Sequence, residues 1–263
     1  CSAIIFLVSG YSLYDSPIIR NTYLKYLPSH SRIIYVSSAA VYDIFSGDLK
    51  IQEKSKLHIN PLYKEYSATK ILEEKFLENF SIKHNLDLVI LRPGNVFGPA
   101  DPVRVSFFSQ LLKKSLDVFG DGSNKLSLIY VKNLAEILFL FINQRIEKGV
   151  NKYNISNMDN ASLLEIIDFC NMNASKKINI NFYPQFLDKH ISNLIRALRS
   201  INLTDRNTNI NYSISWCRQN FGMDLSRLEG TGYKERYSIK DGLIETMLSK
   251  ETRDFNLDNK CFD

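Results

Sequence analysis

Two apolar runs in the first hundred residues constrain the fold of this chain more than any other feature. They are 32–36 (RIIYV) and 86–91 (LDLVIL), and a similar β-rich run covers 3–8. Runs of this kind are typical of strands that are buried on both faces of a parallel sheet. The sequence therefore predicts three neighbouring strands in one sheet.

Helical patterns separate these runs. A short helix is predicted from Ser16-Pro17 towards Tyr26, and a long one from Asn60-Pro61 to about His84. Each begins with an N-cap residue followed by proline, a common way to start a helix. Alternating strands and helices indicate a doubly wound α/β sheet with right-handed crossovers.

After Arg92 the loops become longer and the elements shorter. The pattern there predicts helices near 104–115, 132–146 and 162–171, and short strands near 126–130, 152–155 and 178–183. Residues 120–125 (GDGSNK) predict the turn of a hairpin, since glycine and asparagine favour turns.

Composition excludes several classes of protein. The chain has 263 residues, is 44% hydrophobic and carries a net charge of +5, which suits a core-forming globular protein. Basic and acidic residues are mixed along the chain, so the sequence does not indicate nucleic-acid binding, whereas a nucleotide or diphosphate ligand fits equally well.

Cysteine usage and hydropathy indicate the environment. The four cysteines, at 1, 170, 217 and 261, form no CxxC pair, so we expect neither a disulfide framework nor a metal site. No run reaches the roughly 18 consecutive apolar residues of a membrane helix. We therefore expect a cytoplasmic protein without a membrane partner.

Tyr66 and Lys70 are four positions apart on the predicted long helix, so their side chains share one face. A phenol becomes a usable general base when a nearby cation favours the phenolate. The spacing alone is weak evidence, because a chain with 14 tyrosines and many lysines contains such a pair by chance. A solvated helix face is the alternative.

Polar residues follow two of the predicted strands. Ser37 and Ser38 come directly after RIIYV, and Pro93-Gly94-Asn95 follow the third strand. Open α/β sheets bind ligands at the carboxyl ends of their strands. The serines are also compatible with ordinary turn chemistry.

Together these motifs resemble those of the extended short-chain dehydrogenase/reductase family, which includes UDP-glucose 4-epimerase, sugar-nucleotide dehydratases and keto-sugar reductases. The matching segments are, in order, SSAAVY at 37–42, YSATK at 66–70, LRPGNVFGP at 91–99, GDGSNKLSLIYVKNLAEIL at 120–138 and GYKERYSIKDGLIETM at 232–247. Each is short, but their common order over residues 3 to 250 makes the resemblance specific.

The resemblance implies a role for each matched residue. It makes Tyr66 the catalytic base, Lys70 the residue that lowers the pKa of Tyr66 and binds the nicotinamide ribose, and Ser38 the hydroxyl that holds the reacting sugar oxygen. Ser37 and Pro93 would lie beside the NAD or NADP cofactor. The implied substrate contacts are Ser38, Ala39, Asn95 and Lys125.

The sequence departs from the family pattern at several positions. The glycine-rich phosphate loop that normally follows the first strand is missing, since Gly10 is the only glycine before Gly47. Asp43 replaces a glycine, Asn133 replaces an aspartate, and Leu126 replaces an arginine that grips the diphosphate in several epimerases. The last change weakens the case for a UDP-sugar in particular, although Lys125 is adjacent. If Asn95 and Lys125 both face the diphosphate, Leu126→Arg is expected to strengthen nucleotide-sugar binding.

The resemblance also implies an architecture. We expect a Rossmann-type parallel sheet lacking its first strands, with a smaller C-terminal α/β substrate lobe. Residues 1–100 would be the remainder of the NAD(P)-binding domain. Residues 101–263 would be mainly the substrate lobe, with some segments returning to the first domain.

The implied function is that of an epimerase or keto-reductase acting on a nucleotide sugar, with a homodimer possible by analogy. Dehydration is less favoured, because Ala39 and Ala40 stand where dehydratases carry an acidic pair. The alternative is a non-catalytic nucleotide-sensing or protein-binding module. The missing phosphate loop favours the module, and the retained Ser38, Tyr66 and Lys70 favour the enzyme.

Overall fold

The computed structural model describes residues 3–6, 24, 27, 31–61, 64–99, 115–173, 179–187 and 215–258, with the backbone alone at 115 and 250–258. The strands are β1 (Ala3–Phe6), β2 (Arg32–Val36), β3 (Asp87–Pro93), β4 (Asn95–Phe97), β5 (Ser115–Phe119), β6 (Lys125–Leu126), β7 (Leu128–Tyr130), β8 (Val150–Ile155), β9 (Ala161–Ser162) and β10 (Asn179–Tyr183). The α-helices are α1 (Lys64–His84), α2 (Val131–Asn143), α3 (Leu163–Asn173), α4 (Ser226–Glu229) and α5 (Ile239–Asp258).

Among the described residues, four strands form the main sheet, in the order β1-β2-β3-β8, and all of them run parallel. Every residue of β2 is buried, as the apolar run predicted. The parallel α/β fold expected from the sequence is confirmed. β8 belongs to this sheet although it lies far beyond the first hundred residues.

Alternate residues of the strands pack against helices on opposite faces of the sheet. Ile33 and Tyr35 of β2 lie in a cluster with Leu77 of α1. Ile34 lies on the other face with Ile137 and Phe141 of α2. This alternation follows from the two-residue period of a strand, and it explains why both faces of β2 are apolar.

Shorter pairings form outside the main sheet. β4 runs parallel to β7, β5 runs parallel to β10, and β6 runs antiparallel to β9. The expected hairpin at 120–125 is therefore wrong, because β5 and β6 pair with different partners. The turn itself is present, with positive φ angles of 101° at Gly120 and 74° at Gly122.

Other elements differ from the sequence prediction in their limits. The third strand continues to Pro93, and the strand predicted at 126–130 is divided at Ser127. The carbonyl oxygen of Ser127 accepts from the backbone N–H of Asn95 at 2.8 Å, so the chain changes pairing partner at this point. The helix predicted near 104–115 lies outside the described residues except at Ser115, which begins β5. The helix predicted from Ser16-Pro17 lies outside them except at Leu24.

A buried ion pair joins the main sheet to α1. The guanidinium of Arg92 on β3 binds both carboxylate oxygens of Glu74 on α1, with Nε to Oε1 at 2.9 Å and Nη2 to Oε2 at 2.5 Å. The side chains are 1% and 0% exposed. Two parallel hydrogen bonds from a planar guanidinium fix the orientation of the carboxylate as well as its distance from the guanidinium.

Arg92 also binds two loops. Its Nη1 donates to the Tyr42 hydroxyl at 2.6 Å and to the Glu53 carbonyl oxygen at 2.9 Å. The Tyr42 hydroxyl in turn donates to Oδ1 of Asn154 on β8 at 2.8 Å. Burial raises the pKa of Tyr42 to about 12, so the phenol remains a donor. One guanidinium thus connects β3, α1 and the loops that follow β2.

The packing of α1 on the sheet leads to a prediction about two of its leucines. Leu77 is fully buried and Leu72 is 56% exposed. Leu77→Ala should lower the free energy of unfolding by about 2 to 5 kcal/mol, because it leaves a cavity in the core. Leu72→Ala removes the same atoms from the same helix and should change the free energy of unfolding by no more than about 0.5 kcal/mol. Urea denaturation of both variants checks this, and equal losses would contradict the packing described.

The buried ion pair leads to a second prediction. Glu74→Gln leaves the Arg92 guanidinium buried without its counter-charge and should lower the free energy of unfolding by about 3 to 5 kcal/mol. Glu78 provides the control, since its ion pair with Lys152 at 2.8 Å is partly exposed. Glu78→Gln should cost about 0 to 1 kcal/mol. Equal losses of stability in the two variants, measured by calorimetry, would contradict a stabilising role for the buried ion pair of Glu74.

Candidate active site

The site is built where β2 and β3 end. The backbone N–H of Ser37 donates to the carbonyl oxygen of Leu91 at 2.7 Å, so Ser37 extends the pairing of these strands by one residue. Its hydroxyl is buried and donates to Oε1 of Glu74 at 2.5 Å. Ser37 is thereby tied to the buried ion pair.

Ser38 begins a short 3-10 helix at Ala39–Val41. Its hydroxyl oxygen accepts from the backbone N–H of Ala40 at 3.1 Å, which is an ordinary N-cap contact. The side chain is half-buried, whereas Ala39 is buried. A hydroxyl that accepts at its oxygen retains its own hydrogen for another partner.

Helix α1 carries Tyr66 and Lys70 on one face, as the spacing predicted. The Lys70 side chain is buried, and its Nζ donates to the carbonyl oxygen of Val36 at 2.8 Å. Nζ lies 5.8 Å from the ring centroid of Tyr66 and 4.9 Å from that of Tyr35. The structure therefore places the ammonium between the half-buried Tyr66 and the last residues of β2.

The environment of Lys70 opposes its charge. Burial lowers the pKa of Lys70 to about 8, and the neighbouring charges of Glu73 and Glu74 act in the opposite direction. A lysine in water would titrate well above this value. Groups with pKa values perturbed in this way are frequent in catalytic sites.

Pro93 and Asn95 occupy the end of β3 and the start of β4. Pro93 is buried and pairs with Ile155 of β8. Nδ2 of Asn95 donates to Oε1 of Gln219 at 2.9 Å, and Gln219 itself is buried. Asn95 is thus near the carboxyl edge of the sheet, with its amide already bound to a segment from much later in the chain.

Lys125 is the first residue of β6. Its Nζ forms an ion pair with Oε2 of Glu165 at 3.2 Å, and the two side chains are 35% and 62% exposed. Backbone and side-chain hydrogen bonds from Ser162, followed by Lys125, lower the pKa of Glu165 to about 2. A role for Lys125 in binding a diphosphate stays a prediction.

The burial of Leu126 argues against a gain in binding from Leu126→Arg. The Leu126 side chain is fully buried in a cluster with Leu128 and Leu163. An arginine there would place a guanidinium in an apolar core, at a large desolvation cost. The family's arginine position has become a core position in this chain.

Asn133 has a definite structural role. It is fully buried; its Nδ2 donates to the carbonyl oxygen of Tyr237 at 2.7 Å, and its Oδ1 accepts from the Tyr237 backbone N–H at 3.2 Å. An amide can both donate and accept, whereas an ionised aspartate can only accept. The substitution therefore joins α2 to the segment before α5.

Four residues around the site were not recognised from the sequence: Tyr35, Tyr42, Glu73 and Glu74. A signal for Glu74 existed, because Arg92 stands in a strand that is otherwise apolar and must find a buried partner. Which carboxylate pairs with it depends on how α1 packs on the sheet. The contact between Tyr35 and Glu73 depends on the same packing.

Among the described residues, no group of three or more His, Cys, Asp or Glu side chains is placed to hold a metal ion. Within those same ranges, no helix is long and apolar enough to cross a membrane. Cys170 and Cys217 are buried, and Sγ of Cys217 accepts from the backbone N–H of Phe119 at 3.3 Å.

Two solved structures illustrate the similarity in fold. A UDP-N-acetylglucosamine 4-epimerase from Methanobrevibacter ruminantium M1, in complex with UDP-N-acetylmuramic acid, superposes with a TM-score of 0.70 at 17% identity, covering 96% of this chain and 77% of that one. MoeE5 in complex with UDP-glucuronic acid and NAD gives 0.66 at 16% identity, covering 96% and 80%. At these identities the likeness shows the Rossmann-type fold.

Sequence comparison identifies the family. An uncharacterized UDP-glucose epimerase, YtcB of Bacillus subtilis, is 25% identical over 153 residues, which are 57% of this chain and 46% of the relative. The chain spans about half the length of the curated relatives it matches, 52% in another case. The model of the NAD dependent epimerase/dehydratase family, whose members are enzymes, matches residues 21–156, about half of the chain. The expected family relationship is therefore confirmed, and this chain belongs to the NAD dependent epimerase/dehydratase family.

Proposed function

We propose that this chain carries the catalytic centre of a nucleotide-sugar epimerase or keto-reductase, with Tyr66 as the general base. One observation carries the proposal: the buried ammonium of Lys70 lies against Tyr66 at the carboxyl end of β2. Open α/β sheets bind their ligands at this edge. A solvated helix face would not require a lysine that is 3% exposed.

The residues present fit a nicotinamide cofactor. An ammonium has three N–H donors, and among the described residues the Val36 carbonyl oxygen takes one of them. The other two donors suit the hydroxyls of a ribose. Ser37 directly follows β2, and Pro93 is the last residue of the neighbouring strand β3. When bound, NAD or NADP supplies the hydride acceptor or donor that no side chain can replace.

The protein's part in the reaction is proton transfer and orientation. Tyr66 takes the proton of a sugar hydroxyl, and the Lys70 charge favours the phenolate that does so. Ser38 holds the reacting oxygen with the hydrogen of its own hydroxyl. General-base catalysis of this kind contributes about 10² to 10⁴-fold, and correct positioning contributes further.

The substrate class follows from the relatives and from the residues after the serines. The solved complexes named above contain UDP-sugars, which supports a nucleotide sugar here. Ala39 and Ala40 provide no acid or base next to Ser38, so epimerisation or reduction is favoured over dehydration. We assign Ser38 and Ala39 to the sugar, and Asn95 and Lys125 to the diphosphate. A homodimer stays a prediction.

Tyr66→Phe tests the base directly. In the full-length protein the variant should lose about 10² to 10⁴-fold in kcat, while the Kd for NAD(P) and for the UDP-sugar changes by less than about twofold, since one oxygen is lost. Tyr183→Phe is a matched control on the exposed strand β10 and should turn over normally.

The results separate the two functions considered for this chain. If Tyr66→Phe had the same kcat as the wild-type protein, Tyr66 would not be the general base. Tight nucleotide binding without any turnover in the wild-type protein would instead support a non-catalytic module.

The ion pair of Lys125 with Glu165 allows a test with two variants whose expected effects on UDP-sugar binding have opposite signs. Lys125→Ala should weaken UDP-sugar binding a few-fold, because it removes a partly screened charge from the diphosphate. Glu165→Gln removes the competing carboxylate at 3.2 Å and should tighten binding by a similar factor. Both effects should shrink at high salt in calorimetric titrations. Unchanged affinity in both variants would remove Lys125 from the substrate site.

A further inference from the structure

A second buried carboxylate, Glu73, lies beside the catalytic centre without a role in the chemistry proposed above. It is 2% exposed and stands three positions after Lys70 on α1, close to the same helix face. The Tyr35 hydroxyl on β2 donates a short hydrogen bond to its Oε2. A charge buried this completely is costly unless an opposite charge compensates it.

Tyr35 determines the direction of that hydrogen bond. Burial, followed by the charge and hydrogen bond of Glu73, raises the pKa of Tyr35 far above its ordinary value. The phenol is therefore protonated throughout the working pH range and donates to the carboxylate. Tyr35 thus anchors Glu73 without neutralising its charge.

Lys70 lies in the same small cluster. Its Nζ is 4.9 Å from the centroid of the Tyr35 ring, whose hydroxyl holds Glu73. The titratable groups that face Lys70 among the described residues are Glu73 and Glu74 on α1, Tyr35 on β2, and Tyr66. Glu74 is already matched by the Arg92 guanidinium in a bidentate ion pair, which leaves Glu73 as the main compensating charge.

We propose that Glu73 is a positioning residue of the catalytic centre, whose carboxylate, anchored by Tyr35, is the buried counter-charge that keeps Lys70 an ammonium ion beside Tyr66. The effect on catalysis rests on the function proposed above. The charge balance between Glu73 and Lys70 does not, because it depends on the fold alone.

The direction of the effect follows from the energetics of burial. Desolvation disfavours a charged lysine and can lower its pKa by several units when nothing opposes it. In this site burial is the largest influence on the pKa of Lys70, which it lowers to about 8, and Glu73 is the largest influence in the opposite direction. Without the carboxylate, Lys70 should lose its proton at a lower pH, and Tyr66 should lose its stabilising charge with it.

Direct titration of Lys70 tests the charge balance without any substrate. The full-length protein is labelled with ¹³Cε-lysine, and the Lys70 signal is assigned by its absence in Lys70→Arg. In Glu73→Gln, which keeps the shape and an acceptor for Tyr35, the pKa of Lys70 should fall by about one unit or more. Glu78→Gln, two turns beyond Lys70 on the same helix, should leave it unchanged, and Glu73→Asp should restore most of the shift.

The pH dependence of kcat tests the catalytic consequence. The alkaline limb for Glu73→Gln should move to lower pH by the same amount, so that kcat falls about tenfold at the pH of the wild-type limb and much less below it. KM should change little. A purely structural role would instead reduce activity by the same factor at every pH.

An unchanged Lys70 titration in Glu73→Gln overturns the proposal. If this variant does not fold, Tyr35→Phe provides the second measurement: it frees the carboxylate from its anchor and should lower the pKa of Lys70 by a smaller amount, and no change there overturns the proposal as well. A shifted titration in a protein that shows no turnover would support the counter-charge and contradict the proposed enzyme function.

Discussion

The bidentate ion pair between Arg92 and Glu74 is the constraint on which the arrangement of the site depends. Two fully buried charges cost several kcal/mol to desolvate, and they repay it only when their geometry is good and their other hydrogen-bonding groups are satisfied. Here both conditions are met, through the hydroxyls of Ser37 and Tyr42 and the carbonyl oxygen of Glu53. The pair therefore holds α1 at one position along the sheet, and that position sets where Tyr66 and Lys70 lie.

The adjacent carboxylates of Glu73 and Glu74 on α1 have different partners. Glu74 is matched by a guanidinium that remains charged at any working pH, so it contributes structure. Glu73 lies beside a lysine whose pKa is lowered to about 8 by burial, and we propose that it keeps this lysine charged. Consecutive residues on a helix point in directions about 100° apart, and this lets two adjacent carboxylates bind different partners, Tyr35 and Arg92.

Departures from the family's motifs show how tertiary context decides the role of a residue. Asn133 replaces an aspartate and pairs with both backbone groups of Tyr237, as only an amide can. Leu126 replaces an arginine and lies in the core, so that position no longer offers a charge to a substrate. The sequence shows only that both positions depart from the family pattern. Their neighbours in space show what each residue does.

The sequence by itself determined the parallel α/β fold, the family, and the sharing of one helix face by Tyr66 and Lys70. These follow from local periodicity and from the order of short motifs, which a single chain displays directly. Only the tertiary structure decided that Glu74 binds Arg92, that Glu73 binds Tyr35, that Asn95 meets Gln219, and that β5 and β6 do not form a hairpin. Those contacts join residues far apart in the chain, and buried polar groups choose their partners by the exact placement of packed elements, which periodicity does not encode.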